Sequence, residues 1–480
     1  MSARALFVGG TSSNAGKSWM ATAICAWLRS RGVAVAPFKA QNMSNNSYPC
    51  RGGGEIGRAQ VAQAEACGLE PEPAMNPILL KPAGNGSSQV VVNGGVWKTL
   101  SARDYFTHAN ELRDRVLAAY DELARRFEFI VIEGAGSVSE LNLRHVDLAN
   151  LGLATRLGAP WILVADIERG GVFASVIGTV GLLTAEERAL FRGFAINKFR
   201  GDRSLFDDGV RILESRTGAP CLGVFPFAED IALDAEDTLA LDTQPRGSRP
   251  GGPRIAIIRF PCLSNATDFR LLSWAEWIAH PPRAPSERSE SSGRRDFDFI
   301  ILPGSKSTIA DLRWLRDMGL AGWITEQHRR GATVIGICGG FQMLGLRIHD
   351  PARVESPEAT AEGLALLPAE TVMATGKTTE VRTAWSRGGV RFSAYEIHMG
   401  VTTMDAPAQP FARLEDGRGD GACGSGVIGT YLHGAFENPD VCAETFGVDV
   451  VAVSKADQYR RLGEWFSTYA SRLDFLECPV

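Results

Sequence analysis

The nine cysteines form no C-x-x-C pair, and the seven histidines form no H-x-x-x-H cluster. An odd, scattered set of thiols predicts neither a disulfide frame nor a structural zinc site, and it suits a reducing compartment. No apolar run approaches the ~20 residues that a helix needs to cross a bilayer, which excludes a helical membrane span. Basic residues are not in excess. The net charge of −5 argues against non-specific nucleic-acid binding and against docking on an anionic membrane. The first strand-like run, Ala5–Val8, starts so close to Met1 that a signal peptide has no room. The expectation is a cytoplasmic protein with no nucleic-acid partner and no membrane insertion. At 480 residues the chain is too long for one core, so two or three domains are expected.

What is present begins with Ala5–Val8, then Gly10-Thr11-Ser12-Ser13-Asn14-Ala15-Gly16-Lys17-Ser18, then a helical pattern over Trp19–Arg31. Strand, glycine-bearing loop and helix are the context of a phosphate-binding P-loop. Thr11, Ser12, Asn14, Ala15, Gly16, Lys17 and Ser18 are the candidate ATP contacts. Lys17 supplies charge to the β/γ-phosphates, and Ser18 a hydroxyl to Mg2+. The usual spacing would put the leading glycine at Thr11; here it is Gly10, a longer form that resembles dethiobiotin synthetase. Strand Val33–Phe38 runs into Lys39-Ala40-Gln41-Asn42-Met43-Ser44-Asn45-Asn46-Ser47. Ligands of open α/β sheets bind outside the carboxyl ends of strands. Lys39, Gln41, Asn42, Ser44 and Asn45 are therefore candidate substrate contacts, although a polar run of Asx turns reads the same way. Residues 57–68 and 104–127 read as helices. Phe129–Glu133 is a buried strand ending in an acid, placed to hold Mg2+. After strand Gly193–Ile196, Asn197-Lys198 resembles the base-reading loop of GTP-binding proteins. Arg200 stands where guanine reading needs an acid, so adenine is expected, with Asn197 touching the base.

A Pro/Gly linker occupies residues 242–253, and a polar insert with no assignable chemistry occupies 281–295. In the second half, the apolar run Ala332–Ile337 leads into Cys338-Gly339-Gly340 and a helix start at Phe341. Gly336-Ile337-Cys338-Gly339-Gly340 is a nucleophile elbow with Cys as the nucleophile, at a helix N-terminus that favours thiolate. Gly339 N–H is one oxyanion donor, and Gly304, in Leu302-Pro303-Gly304-Ser305, is placed to give the second. A buried cysteine at a glycine-rich strand end is the plainer alternative. The base must be a distant histidine, either His433 after strand Gly426–Leu432 or His398.

Gly336–Gly340 and Thr430–Gly434 resemble the class I glutamine amidotransferases. The resemblance selects His433 as partner of Cys338 and makes Gln342 a glutamine contact. Ala435 occupies the position of that family's orienting acid, so either a Cys–His dyad operates or Glu396 or Glu437 orients the imidazole. Over nearly the whole chain, PFKAQNMSNNS, MNPILLKP, IEGAGS, the D-x-x-R-G-G stretch at Asp166–Gly171, NKFRGD, LPGSKST, GICGGFQMLG, YEIHMG and TYLHG closely resemble the cobyric acid synthase family. The resemblance implies a ligase domain over 1–241, a linker over 242–253, an amidotransferase domain over 254–440 and a helical extension over 441–480. The fold implied is α/β in both halves: a P-loop doubly wound parallel sheet, then a class I amidotransferase domain. It also implies ATP, Mg2+ and glutamine as ammonia donor, no bound prosthetic group, and a corrinoid substrate amidated at four carboxylates. Sister readings are cobyrinic acid a,c-diamide synthase, disfavoured by the KAQNMSNNS loop, and CTP synthase, disfavoured by Gly434-Ala435. A P-loop switch protein with a non-catalytic amidase-like module is the non-enzymatic alternative, disfavoured by the intact Cys338/His433 pair. Oligomeric state is not legible.

Overall fold

The computed structural model describes residues 3–82, 86–231, 233, 249, 251–282, 296–405, 408–452 and 454–477. Residues 242–248 and 250 of the expected linker, and 283–295 of the expected insert, lie outside them.

Two α/β units are built on separate parallel sheets. In the first, the strand order is Cys221–Pro226, Phe191–Phe199, Trp161–Asp166, Arg4–Gly10, Phe129–Glu133, Val35–Phe38, all parallel. These strands are apolar along their length because helices cover both faces. Sequence order reverses on either side of Arg4–Gly10, so the loops after it and after Phe129–Glu133 open at the topological switch point. The helix after the first loop runs Lys17–Ser30, two residues earlier than its apolar period suggests. Residues 104–127 do not form one helix: Ala102–Thr107 and Ala109–Ala124 are separated at His108. Beside the main sheet, Gln41–Met43 pairs with Ile78–Pro82, extending the polar loop into a small four-stranded sheet.

In the second unit, Glu276–Ile278, Ile255–Ile258, Phe299–Leu302, Thr333–Ile337 and Val427–Thr430 are parallel, with Ala422–Gly424 added antiparallel at the edge. A long antiparallel hairpin, Ala369–Ser386 with Arg391–Met404, stands beside this sheet.

The C-terminal segment leaves the second unit and returns to the first. Helix Lys455–Tyr469 places Leu462, Trp465 and Phe466 in one buried cluster with Met20, Ile24, Trp27 and Phe225. Trp465 lies 5.0 Å from Phe225 and 5.9 Å from Trp19, centroid to centroid. At Gly463 a Cβ would come within 3.2 Å of the Trp27 nitrogen, so glycine sets the closeness of this helix pair. Of the expected 441–480 helical extension, Val441, Cys442 and Phe446 pack in the second unit, and helix Lys455–Tyr469 belongs in space to the nucleotide-binding half.

Candidate functional site

The P-loop is shaped by two left-handed residues, Asn14 (φ 60°) and Gly16 (φ 98°). A Cβ on Gly16 would fall 2.0 Å from the Asn197 side-chain nitrogen, so only glycine fits. A Cβ on Gly10 would sit 2.9 Å from the Lys17 side chain, which folds back over it. That packing gives a physical reason for a leading glycine at position 10. Lys17 Nζ donates to the Ser12 carbonyl at 2.9 Å and the Gly136 carbonyl at 2.7 Å. Thr11 N–H donates to Val164 O at 3.0 Å, while Ser12 and Asn14 are exposed and Ala15 is buried. Asn197 is buried, and its amide donates to the Ala15 carbonyl at 3.0 Å, which ties it to the loop itself.

Glu133 is fully buried at the end of its strand. Its Oε1 accepts from Ser18 Oγ at 2.7 Å and Lys39 Nζ at 2.8 Å, and its Oε2 accepts from Gln63 Nε2 at 2.5 Å. Ser18 and Glu133 present adjoining hard oxygens of the kind Mg2+ takes, directly or through water, so the residues fit that ion. Lys39 is thus turned toward the P-loop end of its loop, paired with Glu133. Gln41 Oε1 accepts from Tyr105 OH at 2.6 Å, Asn42 Nδ2 donates to Gln60 Oε1 at 2.8 Å, and Ser44 Oγ accepts from Asn46 N–H at 3.0 Å. Asn45 differs: its buried Oδ1 has no partner among the described residues.

In the second unit Cys338 has φ 52° and ψ −109°, a strained conformation for a residue with a side chain and the mark of a nucleophile elbow. Sterics dictate its glycines. A Cβ on Gly336 would meet the Gly340 carbonyl oxygen at 2.6 Å, and one on Gly340 would meet the Leu302 carbonyl oxygen at 1.9 Å. Gly339 is the first residue of helix Gly339–Leu344, so its N–H has no intrahelical acceptor. Gly304 pairs with Ser264 across a short antiparallel bridge, and a Cβ there would lie 2.8 Å from His433 Cε1. Gln342 is held from both ends: its Oε1 accepts from Thr308 Oγ1 and its Nε2 donates to Tyr431 OH, each at 3.2 Å.

His433 is fully buried beside Cys338. Its Nδ1 is 2.7 Å from Asp268 Oδ2, while Asp268 Oδ1 accepts the Gly434 N–H at 2.8 Å. Neither expected acid plays this part. Glu396 engages Arg382 and His398, and Glu437 engages Arg58 and Arg270. The bare dyad is likewise replaced by a Cys–His–Asp array. Asp268 follows a polar run, Ser264-Asn265-Ala266-Thr267, beyond strand Ile255–Ile258. That is the same strand-end signal as Lys39–Ser47, and it could have flagged Asp268. Burial disfavours the imidazolium, but Asp268 and then Cys338 outweigh it and push His433 up to about 10. Its Nε2 has no hydrogen-bond partner among the described residues, and Cys338 Sγ donates to the Ile397 carbonyl at 3.4 Å. His398 stacks on Tyr431 at 3.9 Å and bonds the Gly400 carbonyl at 2.8 Å.

Cys338, Gln342 and His398 line a cavity of about 600 Å³ whose wall also includes Asn45, Ser47 and Lys81 of the first unit. The seam carries buried charge. Glu55 bonds Lys81 at 2.8 Å and also pairs with Lys377 of the second unit. Burial alone would raise the Glu55 carboxyl, but the two lysines hold it well below the usual carboxylate range. Burial pushes Lys81 down to about 7 against the pull of Glu55. Sequence reading missed this cluster because its members are far apart in the chain.

Among the described residues no group of His, Cys, Asp and Glu forms a multi-ligand metal site, and no helix is long and apolar enough to cross a membrane. A CobQ/CobB/MinD/ParA nucleotide binding domain family matches residues 6–240, and a CobB/CobQ-like glutamine amidotransferase domain family matches residues 254–441. A cobyric acid synthase of Parabacteroides distasonis is 46% identical, covering 95% of this chain and 95% of its own length. Cobyric acid synthases of Rhodococcus jostii and Saccharopolyspora erythraea are each 46% identical over 90% of this chain, covering 84% and 83% of theirs. The chain belongs to the cobyric acid synthase family, glutamine-hydrolysing ligases that join a nucleotide-binding domain to a glutamine amidotransferase domain.

Proposed function

We propose that the chain makes adenosylcobyric acid in cobalamin biosynthesis by amidating the b, d, e and g carboxylates of adenosylcobyrinic acid a,c-diamide with glutamine-derived ammonia. In the second unit, the Cys338 thiolate attacks the glutamine side-chain amide. Gly339 N–H, with Gly304 opposite, stabilises the oxyanion. His433, held protonated by Asp268, gives its proton to the departing ammonia, and water then releases glutamate from the thioester. In the first unit, Lys17 and the P-loop amides hold the ATP phosphates, and Asn197 borders the base. Bound between Ser18 and Glu133, Mg2+ would offset phosphate charge during transfer to the corrinoid carboxylate. Ammonia attacks the resulting acyl phosphate and expels phosphate, leaving an amide. Free ammonia is mostly ammonium at neutral pH, so the path between sites should exclude bulk water.

The observation that carries this reading is the single cavity bounded by Cys338 on one side and by Asn45, Ser47 and Lys81 on the other. The test compares Cys338→Ala and Lys17→Ala in amidation driven by glutamine and, separately, by ammonium. Cys338→Ala should lose only the glutamine-driven reaction, and Lys17→Ala both. Equal loss in both assays for Cys338→Ala sinks the two-site scheme.

A further inference from the structure

The polar loop of the first unit and the amidase histidine of the second are separated by one short turn. Asn265 N–H donates to Asn46 Oδ1 at 2.7 Å, and Ser47 N–H donates to Asn265 Oδ1 at 3.2 Å. This reciprocal pair is buried. Asn265 sits in the left-handed region (φ 55°), which asparagine tolerates better than most residues, and it opens the 3-10 turn Ala266–Phe269. Asp268 N–H donates back to the Asn265 carbonyl at 3.1 Å, closing the turn. Only two residues, Ala266 and Thr267, therefore separate the side chain bonded to the ligase loop from the carboxylate that holds His433.

A second contact reaches the same imidazole. Tyr395 stacks on His433 with centroids 5.3 Å apart. Tyr395 also packs against Tyr48 at 4.8 Å and lies under the Arg58 guanidinium at 5.9 Å, both residues of the first unit. The acceptor and the stacking partner of His433 thus both lean on the ligase half.

We propose that Asn265 is a positioning residue that couples the two active sites. With the loop Lys39–Ser47 seated around substrate, Asn46 and Ser47 fix Asn265, and the turn holds the Asp268 carboxylate on His433. When the loop shifts, Asp268 shifts with it and glutamine cleavage slows, so glutamine is spared while no carboxylate waits. This rests on reading Lys39–Ser47 as the substrate loop and His433 as the proton carrier.

The test measures glutamine hydrolysis by the full chain, with and without ATP and adenosylcobyrinic acid a,c-diamide. Asn265→Gly keeps the left-handed turn and the N–H but removes the acceptor for Ser47; Asn265→Asp keeps both. In Asn265→Gly the substrate-stimulated kcat should fall about tenfold or more with KM for glutamine little changed, a size typical of coupling between sites. Asn265→Asp should restore most of it, which a general loss of packing would not allow. Amidation driven by ammonium should persist in Asn265→Gly, showing a folded ligase half. Stimulated hydrolysis at the wild-type rate in Asn265→Gly overturns the proposal, as does a parallel loss of ammonium-driven amidation. A Cys338→Ala control that loses ammonium-driven amidation refutes the two-site reading, and the coupling with it. If that control holds and Asn265→Gly behaves as wild type, only the coupling fails.

Discussion

The two active sites are built in different materials. The amidase site rests on backbone shape around one buried charge pair: a strained cysteine, glycines where a single added carbon would overlap a carbonyl oxygen at 1.9 Å or 2.6 Å, and His433 held by Asp268. The proposed ligase site is made of side-chain charge and its hydrogen-bond partners: Lys17 folded onto the P-loop, and Lys39, Ser18 and Gln63 gathered on a fully buried Glu133. The first fails when its geometry is disturbed or its one buried ion pair, His433–Asp268, is broken, and the second when a charge is deleted and its partner left bare. The contrast can be tested from both sides.

The largest effect is expected at Asp268. Asp268→Asn keeps the shape but loses the charge that orients His433 and holds it protonated, and should lower kcat for glutamine hydrolysis roughly 10³-fold or more. Steady-state kinetics with glutamine checks it, and ammonium-driven amidation should survive. Next, Gly340→Ala must displace the elbow. A misplacement of about 1 Å costs on the order of 100-fold, so the glutamine-driven rate should fall by about that factor while ammonium again serves. At the ligase site, Lys39→Met strands Glu133 and should depress both reactions together; retention of either would contradict the charge-built description. Trp465→Ala, which removes the ring packed on Trp19 just after the P-loop, should destabilise the nucleotide-binding half by about 3–5 kcal/mol, as large-to-small core changes do. In thermal unfolding, only the transition of that half should move.

The smallest effect concerns pH. His433 is raised to about 10 from 6.5, so its contribution to stability is fully present below about pH 6.5 and is lost as pH rises through 10. Lys81, pushed down to about 7 from 10.5, acts oppositely: it costs stability in acid and the cost fades between those values. The melting-temperature gap between wild type and Asp268→Asn should therefore be wider near pH 6 than near pH 10, measured by paired thermal scans.

Much of this was legible in the chain because local physics demanded particular residues. Gly16 with Lys17 and the pair Gly336/Gly340 answer to turns too tight for a Cβ, and such demands show as motifs. The polar run Lys39–Ser47 and the strand-end acid Glu133 were both legible, and they meet where Lys39 bonds Glu133. Less was legible where function depends on contacts between distant segments. Asp268 is 165 residues from His433 and takes the part that sequence reading gave to Glu396, to Glu437 or to no acid at all. Helix Lys455–Tyr469 reads as an ordinary amphipathic helix, and only packing reveals that its apolar face belongs to the first unit. The Glu55–Lys81–Lys377 cluster joins three segments that no periodicity links.

The central claim is that ammonia made at Cys338 reaches the ligase site within the protein. The direct measurement supplies glutamine labelled with nitrogen-15 in its side-chain amide, together with an excess of unlabelled ammonium, and reads the isotope in the new corrinoid amides by mass spectrometry. The account predicts product amides carrying predominantly the label from glutamine. Label diluted to the composition of the bulk ammonium pool would contradict it.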